Sequence, residues 1–168
     1  MNLAEAQQKF IQSWGVLGSS WGINRTMALV HALLLISPEA LSTEDIMSAL
    51  NISRGNANMS LRALIDWGII GKSFKAGERM EFFQAEKNLW ELSKQVAKER
   101  RKRELEPVLK MLGQVKDIQD TDSEALREFK KVTKNIDQFA HRADQMLNVI
   151  EKADEHWFFS LWRRKKNN

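Results

Sequence analysis

The chain has 168 residues, 43% of them hydrophobic and 29% charged, with a formal net charge of +4 and no cysteine. That balance belongs to a folded chain rather than a disordered one, long enough for one ordinary core or a small module with an extension. The lack of cysteine excludes disulfides, thiolate chemistry and Cys-ligated zinc. With only two prolines present, a mainly helical protein is expected.

In chain order, Leu3–Ser19 reads as a helix with Phe10, Trp14 and Leu17 on one stripe. Gly15, Gly18 and Gly22 permit close backbone approach or break this helix near Ser19–Gly22. Asn24 is placed to cap a second helix through Met27, Val30, Leu33 and Leu34. That helix stops at Ser37-Pro38, because the residue before proline is pushed out of the helical region.

The stretch from Leu41 to Phe83 carries the most information. Ser42 and Asp45 have capping-box spacing ahead of a short helix, Thr43–Leu50, whose buried side is Ile46, Ala49 and Leu50. Asn51-Ile52 supplies a turn, and Ser53 caps the next helix, Arg54–Trp67. At about 100° per residue, Ala57, Leu61, Leu64 and Gly68 share one face of it. Asn56, Met59, Arg62, Ala63 and Asp66 lie opposite, and Arg54 sits in the first turn. Two strands, Ile69–Phe74 and Arg79–Gln84, then flank the turn Lys75-Ala-Gly-Glu78, where Gly77 supplies the permissive position.

Helix, tight turn, polar-faced helix and basic hairpin are the order of a winged helix-turn-helix. Residues 51–80 carry five basic side chains against two acidic ones, Asp66 and Glu78. Asparagine pairs bidentately with adenine and arginine with guanine, so Arg54, Asn56, Asn58, Met59 and Arg62 form the candidate base-reading surface. Ser53, Lys72, Lys75 and Arg79 are candidate contacts to the DNA backbone. Taken alone, such residues also furnish any solvated helix face; the flanking helix and hairpin turn the reading towards double-stranded DNA.

From Glu86 the pattern is helical again, with Leu89, Leu92 and Val96 as its apolar stripe. Lys98–Arg103 places five basic side chains in six positions, either as a solvated face or as a backbone-binding or allosteric element. Pro107 kinks this helix or opens the next, which continues through Leu105, Val108, Leu109, Leu112 and Val115. A last long helix begins at Asp122 or Ser123. Its residues Phe129, Val132, Ile136, Phe139, Ala143, Met146 and Ile150 alternate three-and-four spacing, and Ala153 and Trp157 prolong the series. Such a seam calls for another helix, and a homodimer interface is the expected use. Two subunits would present two reading helices to the half-sites of a pseudo-palindromic operator. The tail from Trp157 to Lys166 is aromatic and then basic, suited to closing the end of the seam or to touching DNA or a membrane surface.

No catalytic or metal-binding constellation is visible. His31, His141 and His156 are far apart, His141 and Asp144 read as a surface pair, and neither a GxGxxG nor a P-loop is present. The expectation is a non-enzyme without cofactor or metal. The N-terminus lacks a signal-peptide core and no stretch approaches 18 apolar residues, so a cytoplasmic location is expected.

Taken together, Trp14-Gly15, Trp21-Gly22-Ile23-Asn24-Arg25, the run from Leu41 to Ile46, the run from Ile52 to Leu64, Trp67-Gly68 and Gly77-Glu78-Arg79 form a pattern over roughly residues 10–92. In this the chain resembles the GbsR-like branch of the MarR-type bacterial transcriptional regulators. The resemblance implies a homodimeric DNA-binding regulator, commonly a repressor, with Ser53–Trp67 as recognition helix, Ile69–Gln84 as wing and C-terminal helices joining the subunits. Some members sense choline. A small-molecule effector of that kind would need an aromatic cage, for which Trp14, Trp21, Trp67 and Trp90 are the available members. The expected division is a winged helix-turn-helix domain with N-terminal helices at 1–92, a helical dimerisation region at 93–157 and a basic aromatic tail at 158–168. The competing reading is a winged-helix adaptor that binds protein, with Met59 and Ala63 at its interface and no sequence-specific DNA contact.

Overall fold

Short polar side chains start most of the helices. Asn2 and Glu5 form a reciprocal capping box, each side chain bonded to the other's backbone N–H at 2.9 Å, and open α1 (Leu3–Ser20). The Asn24 side chain accepts from the Met27 N–H at 3.2 Å and opens α2 (Arg25–Ile36). Ser42 and Asp45 close a full capping box on α3 (Thr43–Leu50), so aspartate at the third position serves where glutamate is usual. The chain is seen here in a computed structural model that describes residues 1–74, 77, 79–119 and 121–153. Lys75, Trp157 and the tail at 158–168 lie outside the described residues.

Met1–Leu92 forms one compact unit and the described residues from Ser93 onward a second. In the first, α1 and α2 come close enough that a Cβ on Gly18 would sit 2.5 Å from the Ala28 Cβ, and one on Gly15 would sit 2.7 Å from Leu29. Only glycine admits that approach. α2 packs against α1, α3, α4 (Arg54–Asp66) and the sheet. The sequence stripe understates it: Met27, Ala28, Leu29, Val30, His31, Ala32 and Leu34 are all buried, as expected of a helix surrounded by others. Val30, Leu34, Ile46 and Leu64, from α2, α3 and α4, are the largest fully buried side chains.

The sheet has three antiparallel strands in the order β1 (Leu41–Ser42), β3 (Phe82–Ala85), β2 (Ile70–Ser73). Leu41 faces Phe83 across one ladder, and Lys72 faces Phe83 across the other. The hairpin strands are shorter than the sequence suggests, and β1 is additional to it. Gly77 has φ +85°, the left-handed conformation expected at the turn. Two further expectations need correction. Ala49 is exposed, leaving Ile46 and the half-buried Leu50 as the inner side of α3. Gly68 does not lie on the buried face of α4: it is exposed at φ +69°, where its N–H bonds Ile65 O at 2.8 Å and the Ile69 N–H bonds Leu64 O at 3.2 Å. That is a Schellman stop, which requires glycine for backbone reasons.

The fifth helix starts at Leu89 rather than Glu86, and Leu89 is exposed instead of lining a buried stripe. This helix, α5 (Leu89–Arg100), runs into the second unit and continues through a π-helical turn, Arg101–Leu105, into α6 (Glu106–Gln114), with Pro107 in its first turn. Ser123 caps α7 (Glu124–Lys152) by accepting from the Leu126 N–H at 3.1 Å. α7 packs against α6 and the π-helical turn. Among the described residues, no helix is long and apolar enough to cross a membrane.

His31 is 5% exposed beside the Trp14 ring (centroids 6.0 Å apart), and its Nε2 has no hydrogen-bond partner among the described residues. Burial lowers its pKa to about 4, so folding favours the neutral ring. The unfolded chain takes up this proton first as pH falls. His31 therefore leaves stability intact above pH 6.5 and removes it progressively down to about pH 4, by as much as about 3 kcal/mol. Urea unfolding across that window should show the loss, and His31→Leu should flatten its slope. An unchanged slope in the variant would refute the assignment.

Candidate nucleic-acid interface

The turn before α4 aims the helix. Asn51 ends α3 at φ 50° and ψ 51°, a left-handed conformation that asparagine tolerates, and Ser53 Oγ accepts from the Asn56 N–H at 3.3 Å. As cap, Ser53 uses a lone pair and keeps its O–H to donate, so capping does not conflict with a phosphate contact. From this start, Ala57, Ser60, Leu61 and Leu64 of α4 turn inward and are buried. Arg54, Asn56, Asn58, Met59 and Arg62 are all exposed on the same helix, Met59 to 69%.

Those five side chains are not electrostatically equivalent. Arg54 Nη2 donates to Glu44 Oε1 of α3 at 2.7 Å. The guanidinium hydrogen bond holds the Glu44 carboxyl below the usual carboxylate range. Arg62 has no ion-pair partner among the described residues, so its charge faces solvent uncompensated. On the wing, Lys72 Nζ lies 2.7 Å from Glu81 Oε1, while Arg79 is exposed and unpaired among the described residues. Phe74 and Met80 are exposed beside them. Neither carboxylate is marked as a partner in the sequence, since Glu44 lies ten positions from Arg54 and needs the tertiary turn to bring it near.

The second unit gives the basic run a different character. Arg101 Nε donates to Asp144 Oδ1 of α7 at 2.6 Å and also lies 3.6 Å from Glu106. Arg103 pairs with the buried carboxylate of Glu99, and Arg100 lies 3.6 Å from Glu104. Three of the five cations thus neutralise acids of their own unit. His141 faces Asp137 at 3.6 Å rather than Asp144, which is taken by Arg101.

α7 has two distinct faces. Thr133, Asp137, Ala140 and Asp144 cluster on one side at 100° per residue, with Ala140 buried. The seam lies about a quarter-turn away on average. Phe129, Val132, Ile136, Phe139 and Met146 of that seam are exposed, Phe139 to 75%, while Ala143 and Ile150 are half-buried.

The four tryptophans differ in their settings. Trp67 is buried, Trp21 is exposed, Trp90 is half-buried, and half-buried Trp14 packs on Phe10 with ring centroids 5.4 Å apart. No group of three or more His, Asp or Glu that could hold a metal exists among the described residues.

The fold has a counterpart among solved structures. A transcriptional regulator known from its crystal structure aligns over 88% of this chain and 99% of its own length, with a TM-score of 0.56 and 21% identity. The chain therefore shares that protein's fold: a winged helix-turn-helix with a C-terminal helical region. Weaker superpositions, each with a TM-score of 0.36, relate it to the adhesin competence repressor AdcR of Streptococcus pyogenes and to a MepR variant of S. aureus bound to an oligodeoxyribonucleotide. The first is 19% identical over 84% of this chain and 98% of its own, the second 15% over 82% and 92%. No family model and no curated protein matches the sequence.

Proposed function

We propose that the protein is a sequence-specific double-stranded DNA-binding transcriptional regulator, acting as a cytoplasmic homodimer and, as in the GbsR-like branch it resembles, a repressor. The observation that carries this reading is the division of α4. One face is locked into the core by Ala57, Leu61 and Leu64, while Asn56, Met59 and Arg62 stand exposed on the other. A reading helix needs that combination of rigid support and projecting base-edge donors. Arg54 and Asn58 extend the reading surface, and Ser53, Lys72, Lys75 and Arg79 supply phosphate contacts. Residues 1–92 form the DNA-binding domain, 93–157 the dimerisation region and 158–168 a tail. The protein takes no cofactor and performs no reaction; occupancy of a pseudo-palindromic operator is its mode of action. A small effector would modulate that occupancy.

Selection of bound duplexes from a random pool at two salt concentrations tests this directly. A recurring motif is expected. Arg62→Ala should relax preference at one position of the motif, at a cost of about 1–3 kcal/mol. Arg79→Ala should weaken all duplexes alike and reduce the salt slope by about one unit. Equal affinity for every duplex would refute specific reading. A salt-independent protein complex without duplex binding would instead establish the adaptor, with exposed Met59 and half-buried Ala63 as contact residues.

A further inference from the structure

Among the cations proposed for base reading, Arg54 is engaged before DNA arrives. It occupies the first position of α4, where a recognition helix enters the major groove. Its Nη2 donates to Glu44 Oε1 at 2.7 Å, and both side chains are more than half exposed. An ion pair this exposed adds little to stability. It nevertheless restricts a long side chain that otherwise loses rotamer freedom on binding. Arginine presents five N–H donors in a planar fork, so one bond to glutamate leaves enough for guanine O6 and N7.

The anion has a second consequence. A carboxylate on a surface facing phosphates opposes the attraction common to every duplex sequence. It also draws Arg54 away from service as a general phosphate contact. Both effects suppress unspecific affinity while a base contact is retained, and discrimination is the difference between the two.

We propose that Glu44 is a positioning residue that holds the Arg54 guanidinium for base reading and, as an anion on the same surface, sets the protein's discrimination between duplex sequences. This rests on the DNA-binding function proposed above.

The test is duplex selection with competition titrations on the full chain, comparing the parent with Glu44→Ala, Glu44→Gln, Arg54→Ala and the double alanine variant. Glu44→Ala should lower preference at one base pair about tenfold. It should also raise affinity for random-sequence duplex and steepen the salt slope by about one unit as Arg54 turns to phosphate. Glutamine keeps an acceptor for Arg54 without the charge, so Glu44→Gln should retain most of the base preference yet still bind random duplex more tightly. With Arg54 already alanine, removing Glu44 should change base preference no further. Melting temperatures should coincide, separating these effects from folding. A parent and Glu44→Ala variant that select the same motif with equal preference would overturn the inference while leaving DNA reading intact. A parent with no sequence preference would overturn both.

Discussion

Placing two glutamates on the long seam, Ile136→Glu with Phe139→Glu, should convert the protein from dimer to monomer at micromolar concentration. It should also lower affinity for a two-half-site duplex by about 10²–10⁴-fold, the avidity that linked binding confers. Ile136 is 44% and Phe139 75% exposed, whereas α7 packs through the adjoining face that contains buried Ala140. Phe139→Glu therefore acts mainly on whatever the seam meets, and melting temperatures of the variant report any change that Ile136→Glu makes in the unit's own packing. Isolated carboxylates cannot be buried there without losing hydration that nothing repays. Affinity for a single half-site should hold, because the substitutions leave the exposed face of α4 proposed for base reading unchanged. Light scattering and titrations against one-site and two-site duplexes measure the two effects. A parent that is already monomeric, or a variant that still dimerises and binds as tightly, would refute the dimer role of Phe129, Val132, Ile136, Phe139, Ala143, Met146 and Ile150.

The apolar repeat along α7 was legible in sequence because its three-and-four spacing is local, and the structure places it on one helix. The capped helices were legible for a related reason: Ser42, Ser53 and Ser123 satisfy N–H groups three residues away, so cause and signal are local. Where a feature depends on distant chain, sequence falls short. β1 is two residues long and carries no periodicity, existing only because Phe82 and Phe83 return to pair with it. Glu44 and Glu81 read as unremarkable surface acids until the fold sets them against Arg54 and Lys72. Gly68 failed differently. Its spacing put it in register with Leu61 and Leu64, but the left-handed φ that it supplies ends the helix at that point. The basic run was counted correctly as charge, yet the pairing of Arg101 depends on Asp144, 43 residues further along the chain.

The two faces of α4 make opposite demands on substitution, and that contrast gives the other large expected effect. Leu64 is fully buried, on the helix that packs against α2 and α3. Leu64→Ala removes three buried carbons and leaves a cavity, a change that costs about 2–5 kcal/mol. That is a large share of the roughly 5–15 kcal/mol holding an ordinary domain together. DNA binding should fall with it because the supported helix loses its fixed aim, not because a contact is lost. Met59→Ala is the matched control on the same helix: at an exposed position it should shift stability by no more than about 0.5 kcal/mol. Its effect on DNA should appear as altered preference next to a thymine methyl, since an apolar side chain reads that group. Denaturant midpoints and duplex titrations on both variants separate the two roles. If Met59→Ala unfolds the protein as readily as Leu64→Ala, the exposed face is part of the fold, and the assignment of Arg54, Asn56, Asn58, Met59 and Arg62 to DNA loses its physical basis.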